Sequence, residues 1–159
     1  MNVYGFTGPR QLTTSELVQV RSELAAIQPG DRSALWLVGD AMGLDAVVRC
    51  WAIKHSINFK PYIAEGRKGW QLAARSKRMV DAIAEAGGSL NAWPNKECPD
   101  GCIPCKNVIG FGSGTWLTIA YAVYKQVSVK IYPLKRSLIL PSWLNQQAQP
   151  YITTQLSLF

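Results

Sequence analysis

Apolar residues along the chain alternate between two spacings. Five short runs, "NVYGF" (2–6), "ALWLVG" (34–39), "FKPYIA" (59–64), "SLNAW" (89–93) and "VSVKIY" (127–132), are dense in branched and aromatic residues, and their length predicts strands. The second is apolar almost without a break, as in a central strand buried on both faces. Pro61 in the third lacks an N–H for a ladder and points to a sheet edge. Between the runs the period lengthens to that of a helix. In "TTSELVQVRSELAAI" Leu17, Val20, Leu24 and Ile27 share a face, and Thr13 and Glu16 have the spacing of a capping box. Pro29-Gly30-Asp31 closes that helix. "LDAVVRCWAIKH" predicts a second helix, "WQLAARSKRMVDAIAEA" a third, halted by Gly87-Gly88, and "GTWLTIAYAVYKQ" a fourth. Residues 94–113 form an irregular loop before the fourth helix.

Strands and helices in strict alternation imply right-handed βαβ units. The expected fold class is α/β: a Rossmann-like doubly wound, mainly parallel sheet of about five strands with helices on both faces. A chain of 159 residues is long enough for one domain and too short for two. The domain is expected over 1–134, followed by an extension, 135–154, packing on the domain or tethered to it, and a short tail, 155–159. Hydrophobic residues make up 48% of the chain, which excludes disorder. No run approaches the roughly 20 apolar residues of a membrane span, and "MNVYGFTG" has no basic segment leading into an apolar one. A net charge of +7 favours anionic partners: nucleotides, nucleic acid or anionic lipid. Four cysteines, three of them bunched, fit a reduced, cytoplasmic protein better than a disulfide scaffold.

In such a sheet ligands bind beyond the carboxyl ends of the strands. Three polar loops fall there: "GFTGPR" with Gly5, Thr7, Gly8, Pro9 and Arg10; "VGDAMGLD" with Gly39, Asp40, Gly43 and Asp45; and "GSGT" with Gly112, Ser113, Gly114 and Thr115. Glycines let backbone N–H groups approach an anion, a helix start adds free donors, and Arg10 offers a planar fork to a phosphate. Any one such loop is as readily a simple turn; three at one edge favour a nucleotide ligand.

The segments "GFTGPRQLT", "VGDAMGLDAVVRCWA", "ARSKRMV" and "GSGTWLTIAYAV", in this order over residues 3–133, resemble the SLOG superfamily. That group includes the cytokinin-activating LOG proteins, the YspA/YpsA group and the Rossmann domain of the DNA-processing protein DprA. The resemblance implies a nucleotide held at its phosphates by the "GPR" and "GSGT" loops, with Asp40 toward ribose or base. It also raises SLOG-type homodimers. Asp45 is either part of that site or an N-cap residue paired with Arg49. Arg75, with Arg78, stands where LOG-like proteins have a functional arginine; the other reading is a solvated basic face. LOG-type phosphoribohydrolases carry Gly-Gly-x-Gly-Thr-x-x-Glu, and here Thr118 stands at the glutamate. A hydroxyl is no general base near neutral pH, so the residues favour a binding module over a nucleotide hydrolase.

Two further motifs stand apart. "CPDGCIPC" sets Cys98, Cys102 and Cys105 in a spacing able to converge on zinc, with Cys50 and His55 as distant fourth ligands; a loop of free thiols is the alternative, and Cys50 is expected in the core. The terminal "QLSLF" resembles the pentapeptide by which many bacterial polymerases and repair factors dock into the sliding clamp. Within this partner-binding segment, which includes Ser157, Leu156, Leu158 and Phe159 would be the apolar anchors and Gln155 a hydrogen-bonding side chain; the alternative is a tail packed on its own sheet edge. Basic residues in "GRKGW" and "RSKR", near Trp70, are compatible with DNA.

Overall fold

The computed structural model of the chain describes residues 1–28 and 33–144. All nine predicted elements are present: β1 (Val3–Thr7), α1 (Thr14–Ile27), β2 (Leu35–Gly39), α2 (Leu44–Lys54), β3 (Asn58–Tyr62), α3 (Gly69–Glu85), β4 (Ser89–Ala92), α4 (Gly114–Tyr124) and β5 (Ser128–Ile131). The strands form one parallel sheet in the order β3-β2-β1-β4-β5. The chain walks outward from β1 to β3, then returns across the sheet to β4. The reversal falls between β1 and β4, where Gly5 pairs with Leu37 on one side and Leu90 on the other. Pro61 lies in β3, an edge strand, where a missing N–H costs no ladder bond.

The two faces bury separate cores. Phe6, Trp36, Val38 and Trp93 pack under Val20 and Leu24 of α1 and Leu44, Val48 and Ala52 of α2. On the opposite face Leu37, Leu90 and Ile131 meet Met79, Val80 and Ile83 of α3 and Trp116, Ile119 and Ala120 of α4. Burying Phe6 alone contributes about 2–3 kcal/mol, and its ring lies 4.5 Å from Trp36 while Trp93 stacks on Tyr132 at 4.6 Å. Gly5 is explained here: a Cβ at this position would run into Ile83, so its absence lets α3 lie close on β1. α1 starts as the spacing predicts, Thr13 accepting from the Glu16 amide and Glu16 from the Thr13 amide.

After β5 the chain passes from one face to the other. Leu134 joins the α1/α2 core and its amide bonds to the Pro94 carbonyl, while Leu140, Trp143 and Leu144 pack into the α3/α4 core. Trp143 meets Trp116 edge-on at 6.2 Å. The extension thus packs on the domain as far as Leu144. The tail Gln155, Leu156, Ser157, Leu158 and Phe159 lies outside the described residues. No helix among the described residues is long and apolar enough to cross a membrane.

Candidate functional site

The loops after β1 and β2 are stacked on each other. The Leu44 amide bonds to the Pro9 carbonyl at 3.0 Å, and Gly43, at φ +71°, sits directly on the Pro9–Arg10 backbone, where any Cβ would collide. The space beside Gly8 is filled by Leu44, and that beside Gly39 by Arg75 and Asp45. Gly8, Gly39 and Gly43 therefore serve close contacts inside the protein. Thr7 is buried, its carbonyl accepting from the Trp93 amide and carrying the ladder one step past β4.

Beneath these loops lies a charged network that joins three segments. Arg75 of α3 donates to Asp40 at 2.7 Å and stands 3.6 Å from Asp45. The second oxygen of Asp40 accepts from the Ala64 amide at 3.2 Å, after β3. Asp45 accepts from the Ala41 amide at 3.2 Å. Burial pushes the Asp45 carboxyl up to about 6, against the pull of Arg75, the Ala41 amide and Arg49. Asp45 is not an N-cap residue, and its ion-pair partner is Arg75, with Arg49 adding a weaker attraction. Gly43 occupies the cap of α2, and Arg49 donates to the carbonyls of Gly39 and Ala41 at 2.7 and 3.1 Å. Nor is Arg75 on a solvated face: it is buried, with its Nε unpartnered among the described residues. Arg78 is exposed and donates to the Ile63 carbonyl. Asp40, Asp45 and Arg75 thus fasten the edge together from below.

The third loop is built differently. Phe111 (φ +48°) and Gly112 (φ +88°) turn the chain into α4, and Ser113 caps it by accepting from the Trp116 amide at 3.1 Å. Space is open beside both Gly112 and Gly114. No acidic residue stands in the first turn of α4, so its own turn offers no carboxylate to the helix dipole or to amides such as that of Thr115. α1 contrasts with this, because Glu16 already occupies its start. Arg10 is exposed and has no hydrogen bond or ion pair among the described residues. Thr118 is fully buried and donates to the Gly114 carbonyl at 2.8 Å.

A groove of about 500 Å³ opens at the same edge, between the start of α1 and the ends of β4 and β5. Gln11, Ser15, Asn95 and Lys135 line it, and sequence reasoning assigned none of them to the site. The available signal was position: Asn95 and Lys135 follow β4 and β5 by three and four residues at the edge that binds ligands. A smaller hollow, about 310 Å³ beside Asn2, Gly88 and Ser128, lies at the opposite end of the strands.

The cysteine loop packs against the α3/α4 core, with Cys102 fully buried. The Cys98 thiol donates to the Cys102 carbonyl at 3.4 Å. Burial and the neighbouring Cys102 push the Cys98 thiol up to about 12, and burial also raises Cys102. Among the described residues no group of three or more His, Cys, Asp or Glu side chains is placed to hold a metal ion. Cys50 is exposed, contrary to the core position expected of it, because the buried stripe of α2 runs through Leu44, Val48 and Ala52. His55 ends α2 with its ring 4.3 Å from Trp51.

No family model and no curated protein matches the chain. Among solved structures it is similar to DNA processing protein A (DprA) from Streptococcus pneumoniae, at a TM-score of 0.60 and 11% identity. The likeness covers 96% of this chain and 56% of that one, so the chain spans little more than half the length of that protein. At this identity the likeness shows a shared Rossmann-like α/β fold.

Proposed function

We propose that the chain is a SLOG-like module that binds a nucleotide, or the phosphate backbone of a nucleic acid, along the carboxyl edge of its sheet. The observations that carry this reading are an exposed Arg10 with no partner among the described residues and an α4 start with open glycines and no acid in its first turn. Phosphate is the ligand group that both features favour. The shared fold with a DNA-processing protein supports it, as do Arg67, Lys68 and a Trp70 that is 67% exposed, all at the start of α3. Fluorescence anisotropy with labelled single-stranded DNA, alongside calorimetry with nucleoside monophosphates, tests it. In Arg10→Ala affinity is expected to fall about five- to tenfold, and the slope of log affinity on log salt to drop by about 1 for DNA. Unchanged affinity and slope would remove Arg10 from the site.

Recruitment is the second half of the proposal. The tail residues Gln155, Leu156, Leu158 and Phe159 bring the module to a bacterial sliding clamp. The intact chain is expected to bind purified clamp and a chain ending at Thr154 to lose that binding; equal binding by both forms would assign the tail another role. The alternative, a LOG-like hydrolase, lacks its glutamate, since Thr118 is buried and committed to the Gly114 carbonyl. Release of free base from nucleoside monophosphates would restore it.

A further inference from the structure

We propose that the groove between the start of α1 and the end of β4 is the seat of the nucleobase, with the side-chain amides of Gln11 and Asn95 reading its edge. This rests on the nucleotide reading above and assigns the part of the ligand that Arg10 and the α4 start do not. The groove, about 500 Å³ and wide open to solvent, lies where the order of the strands reverses, between β1 and β4.

Its chemistry separates it from a phosphate site. Among the described residues it contains one cation, Lys135, and one anion, Glu16, so these lining groups offer no net positive charge. Glu16 stands within the first turn of α1 and accepts from the Thr13 amide at 2.9 Å, while Thr13 accepts from the Glu16 amide at 3.2 Å. A phosphate at this helix start would meet a carboxylate that is already bonded in place. A neutral group is favoured there instead.

The remaining polar side chains suit a base. Gln11 and Asn95 each present an amide donor and an amide acceptor side by side, and neither spends its side chain on another described residue. Such an amide pairs bidentately with the adjacent donor and acceptor on a base edge. Leu12 and the buried Leu134 supply apolar wall against which the flat face of a ring can lie.

The test uses the full-length chain and titrates the four ribonucleoside monophosphates and ribose 5-phosphate by calorimetry. Asn95→Ala and Gln11→Ala change residues whose side chains hold nothing else in place, and thermal melts confirm that both variants fold. Each is expected to weaken the best-bound monophosphate about tenfold and to leave ribose 5-phosphate unchanged. Arg10→Ala is expected to weaken both ligands. If the wild-type chain binds a monophosphate and the two amide variants bind it equally well, or lose ribose 5-phosphate in parallel, the groove is not the base seat. If the wild-type chain binds none of the five compounds, the nucleotide reading itself falls, and this assignment with it.

Discussion

Replacing Arg75 by alanine is expected to lower the unfolding free energy by about 3 kcal/mol at pH 7.5, whereas Asp40→Asn costs less than about 1 kcal/mol. The asymmetry follows from where the charges sit. The Arg75 and Asp45 side chains are only 10% and 9% exposed, while that of Asp40 is 34% exposed. Water already solvates Asp40, so losing its partner changes little. Asp45 without Arg75 becomes a buried carboxylate with one backbone amide and the Arg49 charge to hold it. The truncation also leaves a void beside Gly39, whose missing Cβ makes room for the guanidinium. For a domain of this size the loss corresponds to a fall of roughly 6–12 °C in Tm. Urea unfolding of both variants distinguishes the cases, and equal, small effects would show that the pair with Asp45 holds nothing. Because Arg75 links α3 to the loops after β2 and β3, weaker nucleotide binding is expected to accompany the loss of stability.

That network explains why so much of the architecture was legible in the sequence and so little of the site. Strands such as "ALWLVG" declare themselves because a parallel strand covered on both faces must be apolar along its length. The helices declare themselves by period, and α1 even by its cap. The glycines of the first two loops have an internal packing role that local sequence does not reveal, because a Gly-rich turn after a strand has the same composition whether it admits a phosphate or another piece of the protein. Gly8 meets Leu44 and Gly43 meets the Pro9–Arg10 backbone, contacts between segments about 35 residues apart. The pairing of Asp40 with Arg75 likewise spans 35 positions, and local spacing offered Arg49 to Asp45 instead. Two features did survive from sequence to structure as an open edge: Arg10, and the glycines that frame Ser113. The groove escaped notice because its lining comes from three distant stretches, 11–16, 95 and 134–135, none of which forms a motif alone.

Asp45 also sets an unusual dependence of stability on pH. Its carboxyl titrates near 6 in the folded chain against 3.8 for an unperturbed one, chiefly because burial penalises the charged form. Between these values the native state holds a proton that the unfolded state has released. The contribution of this group is therefore fully present below about pH 4 and is lost as pH rises to about 6, a decline of about 3 kcal/mol for a shift of about 2 units. The direction is opposite to that of carboxylates stabilised by ion pairs, which lose stability on acidification. Arg75 and Arg49 face Asp45 and remain charged throughout, and Asp40 adds a repulsion that assists the shift. Asp45→Asn keeps an oxygen for the Ala41 amide and never ionises. It is expected to match wild type in stability near pH 4 and to exceed it by roughly 1–3 kcal/mol at pH 7.5. Urea midpoints for the two proteins across pH 4 to 8 measure the difference directly. A constant difference over that range would mean that Asp45 is not the group that titrates near 6, and the interior of this edge would then be held by a permanent ion pair with Arg75.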